Sequence, residues 1–235
     1  MSKEFEVGFE GVLPATPEQA WAAITIATAA WSWPIVYEPR LGGAEKGLTH
    51  YGGTVTAWEP GKHFATRCEA PDGWFNDLDY VLEQDEGGTF LRFTHTGIFF
   101  EDWDTSYDAC RQHTALYYHS LGEYLAHFRG CEAVYAITDA PAASSEPDGF
   151  AKVKAALGVP EDVEVGDAVE LALGITGTID YRTPNFLGVR TKDTLYRFFG
   201  RNAFGWPVAV GRHLFAPDAN AAEELWRDWL DAVFT

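Results

Sequence analysis

The sequence predicts an α+β fold, a curved antiparallel β-sheet wrapped around a long helix at its C-terminal end, followed by a second, shorter copy. Three observations predict it. Trp103, Tyr107, Cys110, Thr114, Tyr117, Leu121, Tyr124 and Phe128 recur at steps of three and four, so one apolar stripe runs along a helix of about seven turns. The segments ahead of that helix alternate with the period of strands and are separated by Pro-Gly, Asp-Gly and Gly-Gly turns. Strand, helix, strands and helix then recur in the same order in the last hundred or so residues, as internal duplication would produce. A helix this long and amphipathic needs a sheet to bury its stripe.

Taken in order, Phe5, Val7 and Phe9 alternate with Glu4, Glu6 and Gly8 as a half-buried strand. Thr16 then precedes Pro17, an N-cap followed by proline at the first helical position. The helix so started carries Ala20, Trp21, Ile24 and Ala27 on one side and is expected to reach about Ala29, before Pro34 forbids continuation. Val55 and Ala57 mark a strand ending at Pro60-Gly61. Phe64, Thr66 and Cys68 mark the next, Leu78, Tyr80 and Leu82 a third, and Leu91, Phe93 and His95 a fourth. The acidic residues Glu101, Asp102, Asp104 and Asp108 gather at the start of the long helix, where carboxylates favour the positive end of its dipole.

Beyond Gly130, strands are expected at Val134–Ile137, Val169–Leu173, around Gly177–Ile179, at Leu195–Phe199 and at Val208–Leu214. Helices are expected at Phe150–Leu157 and Asn220–Phe234, the latter with Ala222, Leu225, Trp226, Trp229, Leu230 and Val233 on its apolar side. The domains are accordingly residues 1–130 and 131–235, with the Pro-, Ala- and Ser-rich stretch Asp139–Gly149 as the link. The second copy is shorter, so a structural or lid role is expected of it rather than a second cavity.

The chain has 235 residues, 46% apolar and 15% aromatic, with nine Trp, enough to bury a large core. Its net charge of −18 opposes nucleic acid, whose phosphates need clustered Lys and Arg, and opposes an anionic membrane surface. Cys68, Cys110 and Cys131 have no CxxC spacing and leave an odd thiol, which reads as reduced, structural cysteines. No signal peptide and no membrane-spanning run is visible, so a cytoplasmic protein is expected. The Gly pairs lack the Lys-Ser/Thr of a P-loop and the GxGxxG spacing, and no GxSxG elbow occurs. No cofactor and no metal is expected; His113 and His119 fall on the polar side of the long helix.

The segments FEGVLPATPEQAWAAIT (Phe9–Thr25), GGTVTAWEP (Gly52–Pro60), GGTFLRFTHTGI (Gly87–Ile98) and YYHSLGEYLAHF (Tyr117–Phe128), in that order, resemble the helix-grip fold of the START and birch-pollen-allergen (SRPBCC, Bet v 1-like) superfamily. The resemblance is closest to the branch related to the activator of heat-shock-protein ATPase and covers about the first 130 residues. It implies a cavity between sheet and long helix that takes apolar or aromatic ligands. Strand alternation turns Tyr80, Phe93 and His95 toward that space, and the helix stripe adds Tyr107, Thr114 and Tyr117, with Trp33 and Tyr51 near one end. These eight are the candidate ligand-binding residues, and His95 is the best acid–base candidate because of its pKa near neutrality. The same residues serve equally as core aromatics with satisfied hydroxyls. Three functions follow: binding of a small hydrophobic molecule, a cyclase- or aromatase-type enzyme using His95 and cavity tyrosines, and an interaction module touching a chaperone. A homodimer is compatible with each.

Overall fold

The first strand finds its partner at the far end of its own unit. In the computed structural model, which describes residues 3–216 and 223–235, β1 (Lys3–Leu13) pairs antiparallel with β7 (Gly88–Phe99), from Lys3 opposite Phe99 to Leu13 opposite Thr89. From β7 the sheet runs back through β6 (Phe75–Asp85), β5 (His63–Glu69), β4 (Gly53–Glu59), β3 (Ala44–Lys46) and β2 (Val36–Tyr37). The short edge strands β2 and β3 carry no alternation of their own, and pairing alone defines them. On β5, β6 and β7 the residues Phe64, Thr66, Cys68, Leu78, Tyr80, Leu82, Leu91 and Phe93 are buried at every second position, as the alternation predicts.

Helix α1 (Pro17–Thr25) starts where the capping chemistry places it. Thr16 Oγ1 accepts from the Gln19 amide and Gln19 Oε1 accepts from the Thr16 amide, a reciprocal capping box. The helix ends four residues before the expected Ala29, and a short 3-10 turn, Thr28–Ala30, follows. The buried Thr28 hydroxyl explains the break: it bonds both the amide and the carbonyl of Ile35, tying that turn back to the chain before β2. The long helix α2 (Trp103–Glu123) continues into a wider π-type turn, Tyr124–Phe128, and ends the first unit at Gly130.

The second unit, Cys131–Thr235, repeats the plan with one strand fewer. Strand β8 (Val134–Asp139) pairs with the last strand β13 (Ala209–Leu214). The sheet then runs through β12 (Thr194–Phe199), β11 (Phe186–Arg190), β10 (Ile175–Arg182) and β9 (Ala168–Leu171). Helices α3 (Gly149–Leu157) and α4 (Glu223–Val233) take the places of α1 and α2. Each unit thus closes its first strand on its last, and the chain is a duplicated helix-grip fold. Because β8 belongs to this sheet, Asp139–Gly149 lies inside the second unit, between β8 and α3, and is no link between units. Val153, Ile179, Val189, Val210 and Leu230 form the centre of its core. On α4, Trp226 and Leu230 are buried, whereas Leu225 is 52% exposed and does not belong to the apolar side. The expected helix start at 220–222 lies outside the described residues. No helix among the described residues is long and apolar enough to cross a membrane.

Candidate functional site

The side of the first sheet that faces α2 is filled unevenly. At its centre Tyr118 stacks on Phe9, with ring centroids 4.9 Å apart, and lies 4.5 Å from Phe93 and 5.6 Å from Trp31. Tyr80 joins Phe93 at 4.8 Å and Phe64 at 5.5 Å. Except for the half-buried Phe9, these rings are buried and interlock as a core does. The hydroxyls of Tyr80 and Tyr118 share a hydrogen bond, and burial pushes Tyr80 up to about 12 and Tyr118 well above the usual tyrosine value.

One strand position further along, the lining turns polar. His95 lies opposite Leu78 on β6 and Val7 on β1, and Leu78 lies opposite Thr66, so Val7, His95, Leu78 and Thr66 form one row across the sheet. His95 Nε2 stands 2.6 Å from Asn76 Oδ1, and Nδ1 stands 3.4 Å from the Sγ of Cys110 on α2. An amide oxygen only accepts, so Nε2 carries the hydrogen and Nδ1 accepts from the thiol. Phe5 packs edge-on against the imidazole at 4.9 Å. Burial pushes His95 down to about 4 and Cys110 up to about 11, leaving a neutral imidazole and a neutral thiol at pH 7. Thr66 Oγ1 is buried with no hydrogen-bond partner among the described residues. Deeper toward β3, Cys68 Sγ donates to Glu45 Oε2 at 3.0 Å, and Glu45 Oε1 accepts from the Leu48 amide at 2.8 Å. Desolvation and that carboxylate hold the Cys68 thiol up at about 12.

The eight candidate residues divide accordingly. Tyr80, Phe93 and His95 come together under the helix, with Phe93 4.8 Å from Tyr80 and 6.4 Å from His95, and Thr114 is buried on the helix beside Cys110. Trp33 and Tyr117 meet at a rim, rings 5.3 Å apart and both half-buried, with the Trp33 indole donating to the Gly47 carbonyl at 2.8 Å. Tyr107 stacks on Trp103 at 4.7 Å, and the Trp103 indole donates to the Glu4 carbonyl, so that pair pins the start of α2 against β1. Tyr51 is half exposed against His50 and Trp74. Neither Tyr107 nor Tyr51 has a described contact with the Tyr80 group.

The helix buries Thr114, Tyr118, Leu121, Leu125 and Phe128, so its sheet-facing ridge passes through Tyr118 where the stripe named Tyr117. Adjacent aromatics one hundred degrees apart both satisfy a three-and-four spacing, and nothing in the local sequence separates them. Asn76 and Cys110 were also missed. Asn76 shares the inward parity of Leu78 and Tyr80, a signal that was present in the sequence. His119 lies one turn before Glu123, with Nε2 4.0 Å from Oε1, and His127 approaches the same carboxylate at 3.7 Å, so both imidazoles carry an acidic neighbour on the helix.

A sheet closed on its first strand around one long helix, lined by rings at one end and neutral polar groups at the other, defines a helix-grip module. Residues 14–126, just under half of the chain, match the family described as Activator of Hsp90 ATPase homolog 1-like protein, to which the first unit is similar. Among curated proteins nothing matches the chain. Among solved structures the chain is similar to protein MLL2253 from Mesorhizobium loti, at 20% identity over 52% of this chain and 97% of that one, with a TM-score of 0.45. CalU16 from Micromonospora echinospora aligns at 13% identity over 53% and 86% of the two chains, TM-score 0.43. The Aha1 dimer from Colwellia psychrerythraea aligns at 24% identity over 52% and 96%, TM-score 0.42.

Proposed function

We propose that the first unit binds one small hydrophobic or aromatic molecule between its sheet and α2, at the end lined by Thr66, Asn76, His95, Cys110 and Thr114. The observation that supports this reading is the change in filling along one face. Tyr80, Phe93 and Tyr118 close one end with interlocked rings, whereas His95, Cys110, Trp33 and Tyr117 beside them stay only half-buried. Small-molecule sites are mostly apolar with a few polar groups that fix orientation. The unpartnered Thr66 hydroxyl supplies one such group. His95 already spends both ring nitrogens on Asn76 and Cys110, which favours binding over proton transfer.

The experiment is titration of the intact protein with a neutral aromatic probe such as 1-naphthol, followed by fluorescence, alongside native mass spectrometry of protein purified from its own host. Saturable binding that is abolished by Cys110→Trp, with the circular dichroism unchanged, supports the site. Binding indifferent to Cys110→Trp, or absent altogether, removes it. The family match favours a second reading, contact with a chaperone ATPase, although fold does not fix function. Stimulation of a chaperone ATPase by the intact protein, undiminished in Cys110→Trp, would favour that reading.

A further inference from the structure

The second unit carries a groove of about 550 Å³ between the last turns of α3, the residues that follow it and the β10–β11 hairpin. The chain builds it with two stiff rims. Helix α3 stops at Gly158, whose φ of 77° suits glycine, and Val159-Pro160 follows. Pro184 occupies the turn between Arg182 and Phe186 on the opposite side. The half-buried Val159 and the exposed Ala155, Pro160 and Pro184 supply its apolar surface, backed by the fully buried Phe186 and Leu187. The volume falls in the range of small-molecule sites, which runs from roughly 300 to 1,000 Å³.

Its charge is opposite to that of the chain as a whole. The chain has 35 acidic residues against 17 basic ones. Lys152, just before the groove on α3, pairs with Asp148 at 3.0 Å. Lys154 and Arg182, which line the groove, have no carboxylate partner among the described residues. Lys154 lies over the Phe150 ring at 4.9 Å. Arg182 donates from Nη2 to the Glu161 main-chain oxygen at 3.0 Å, which anchors the guanidinium at the rim without neutralising it. The Glu161 side chain is the one acidic group on the lining, so two cations and one anion leave a single positive charge.

We propose that this groove binds a small monoanion with an apolar body, a carboxylate whose head lies between Lys154 and Arg182 and whose chain or ring rests on Val159, Pro160 and Pro184. A guanidinium held at one nitrogen keeps its other N–H groups for a carboxylate, and an ammonium supplies a second charge-assisted bond. One net positive charge suits one carboxylate better than a dianion.

The test uses the full chain and 4-phenylbutyrate as the probe, with 4-phenylbutanol as its uncharged counterpart, measured by saturation-transfer NMR and calorimetry. The carboxylate binds and the alcohol binds at least about tenfold more weakly, since a hydrogen bond to a charged group is worth about 1.5–3 kcal/mol. Arg182→Gln and Lys154→Gln each weaken the carboxylate by about tenfold while leaving the melting temperature in place, because both side chains lie at the surface. Ala155→Trp, on the exposed groove wall, blocks it. Equal binding of acid and alcohol, indifference to both charge variants, or no binding at millimolar probe overturns the assignment. Loss of carboxylate binding on Cys110→Trp with the groove variants silent would move the ligand to the first unit and likewise overturn it.

Discussion

The two units share a topology and treat buried polarity in opposite ways. In the first, most polar side chains between sheet and helix are kept neutral. Tyr80 is pushed up to about 12, Cys68 likewise, and His95 is pushed down to about 4. Glu45 is the exception, held at the β3 edge by the Leu48 amide and the Cys68 thiol. In the second unit charge is retained. Arg197 and Asp180, both almost fully buried, approach each other at 2.8 and 3.0 Å on the face of the sheet opposite Val189 and Phe198. Arg212 is equally buried, donating to Thr138 Oγ1 at 3.0 Å and lying over the Trp226 ring at 5.5 Å. Desolvation pulls the Arg212 guanidinium below its usual value. A neutral interior accepts an apolar molecule without stranding a charge, whereas an interior that already holds the Arg212 guanidinium over Trp226 does not. Duplication of a fold therefore need not duplicate its site, and the groove proposed for the second unit lies outside its core.

Four changes test that contrast, beginning with the largest. Tyr118→Ala removes the ring at the centre of the first interior and should cost about 3–5 kcal/mol, read as a lowered urea midpoint. Tyr117→Ala, one residue away at the rim, should leave that midpoint nearly unchanged and weaken probe binding instead. Asp180→Ala removes the carboxylate that Arg197 grips at two points and should lower the urea midpoint, while the double change with Arg197→Met should recover part of the loss. If the double variant is no better than the single one, the buried pair is not the source of the cost.

His95 makes the first interior sensitive to acid. Its folded pKa lies near 4, below the ordinary value of 6.5, so the unfolded chain binds the proton more readily. Stability present above pH 6.5 is therefore lost as pH falls from about 6.5 toward 4, by on the order of 3 kcal/mol. His95→Gln should flatten this part of the pH profile in urea titrations; an identical slope in both proteins would mean that other groups carry the acid response. The smallest effect is at the α1 cap, where Thr16→Ala should lower stability by about 1 kcal/mol in the same titrations.

Much of the architecture was legible because it is written in local periods. Alternation at Phe64–Cys68, Leu78–Leu82 and Leu91–His95 marked the strands, Thr16-Pro17 marked the start of α1, and the recurrence of strand, helix, strands and helix exposed the duplication. Those signals depend on steric preference and burial over a few residues, which the chain carries wherever it is placed. The tertiary structure alone decided that β1 closes on β7 and β8 on β13, that β2 and β3 exist as edge strands, and that Asp139–Gly149 lies within a unit. It also chose Tyr118 over Tyr117, set Cys110 against His95 and Asn76, and turned Leu225 to solvent. Each of these depends on contacts between residues far apart in the chain, or on a helix rotation of one residue. A period of three and four cannot resolve such a rotation, and only packing against the opposing surface does.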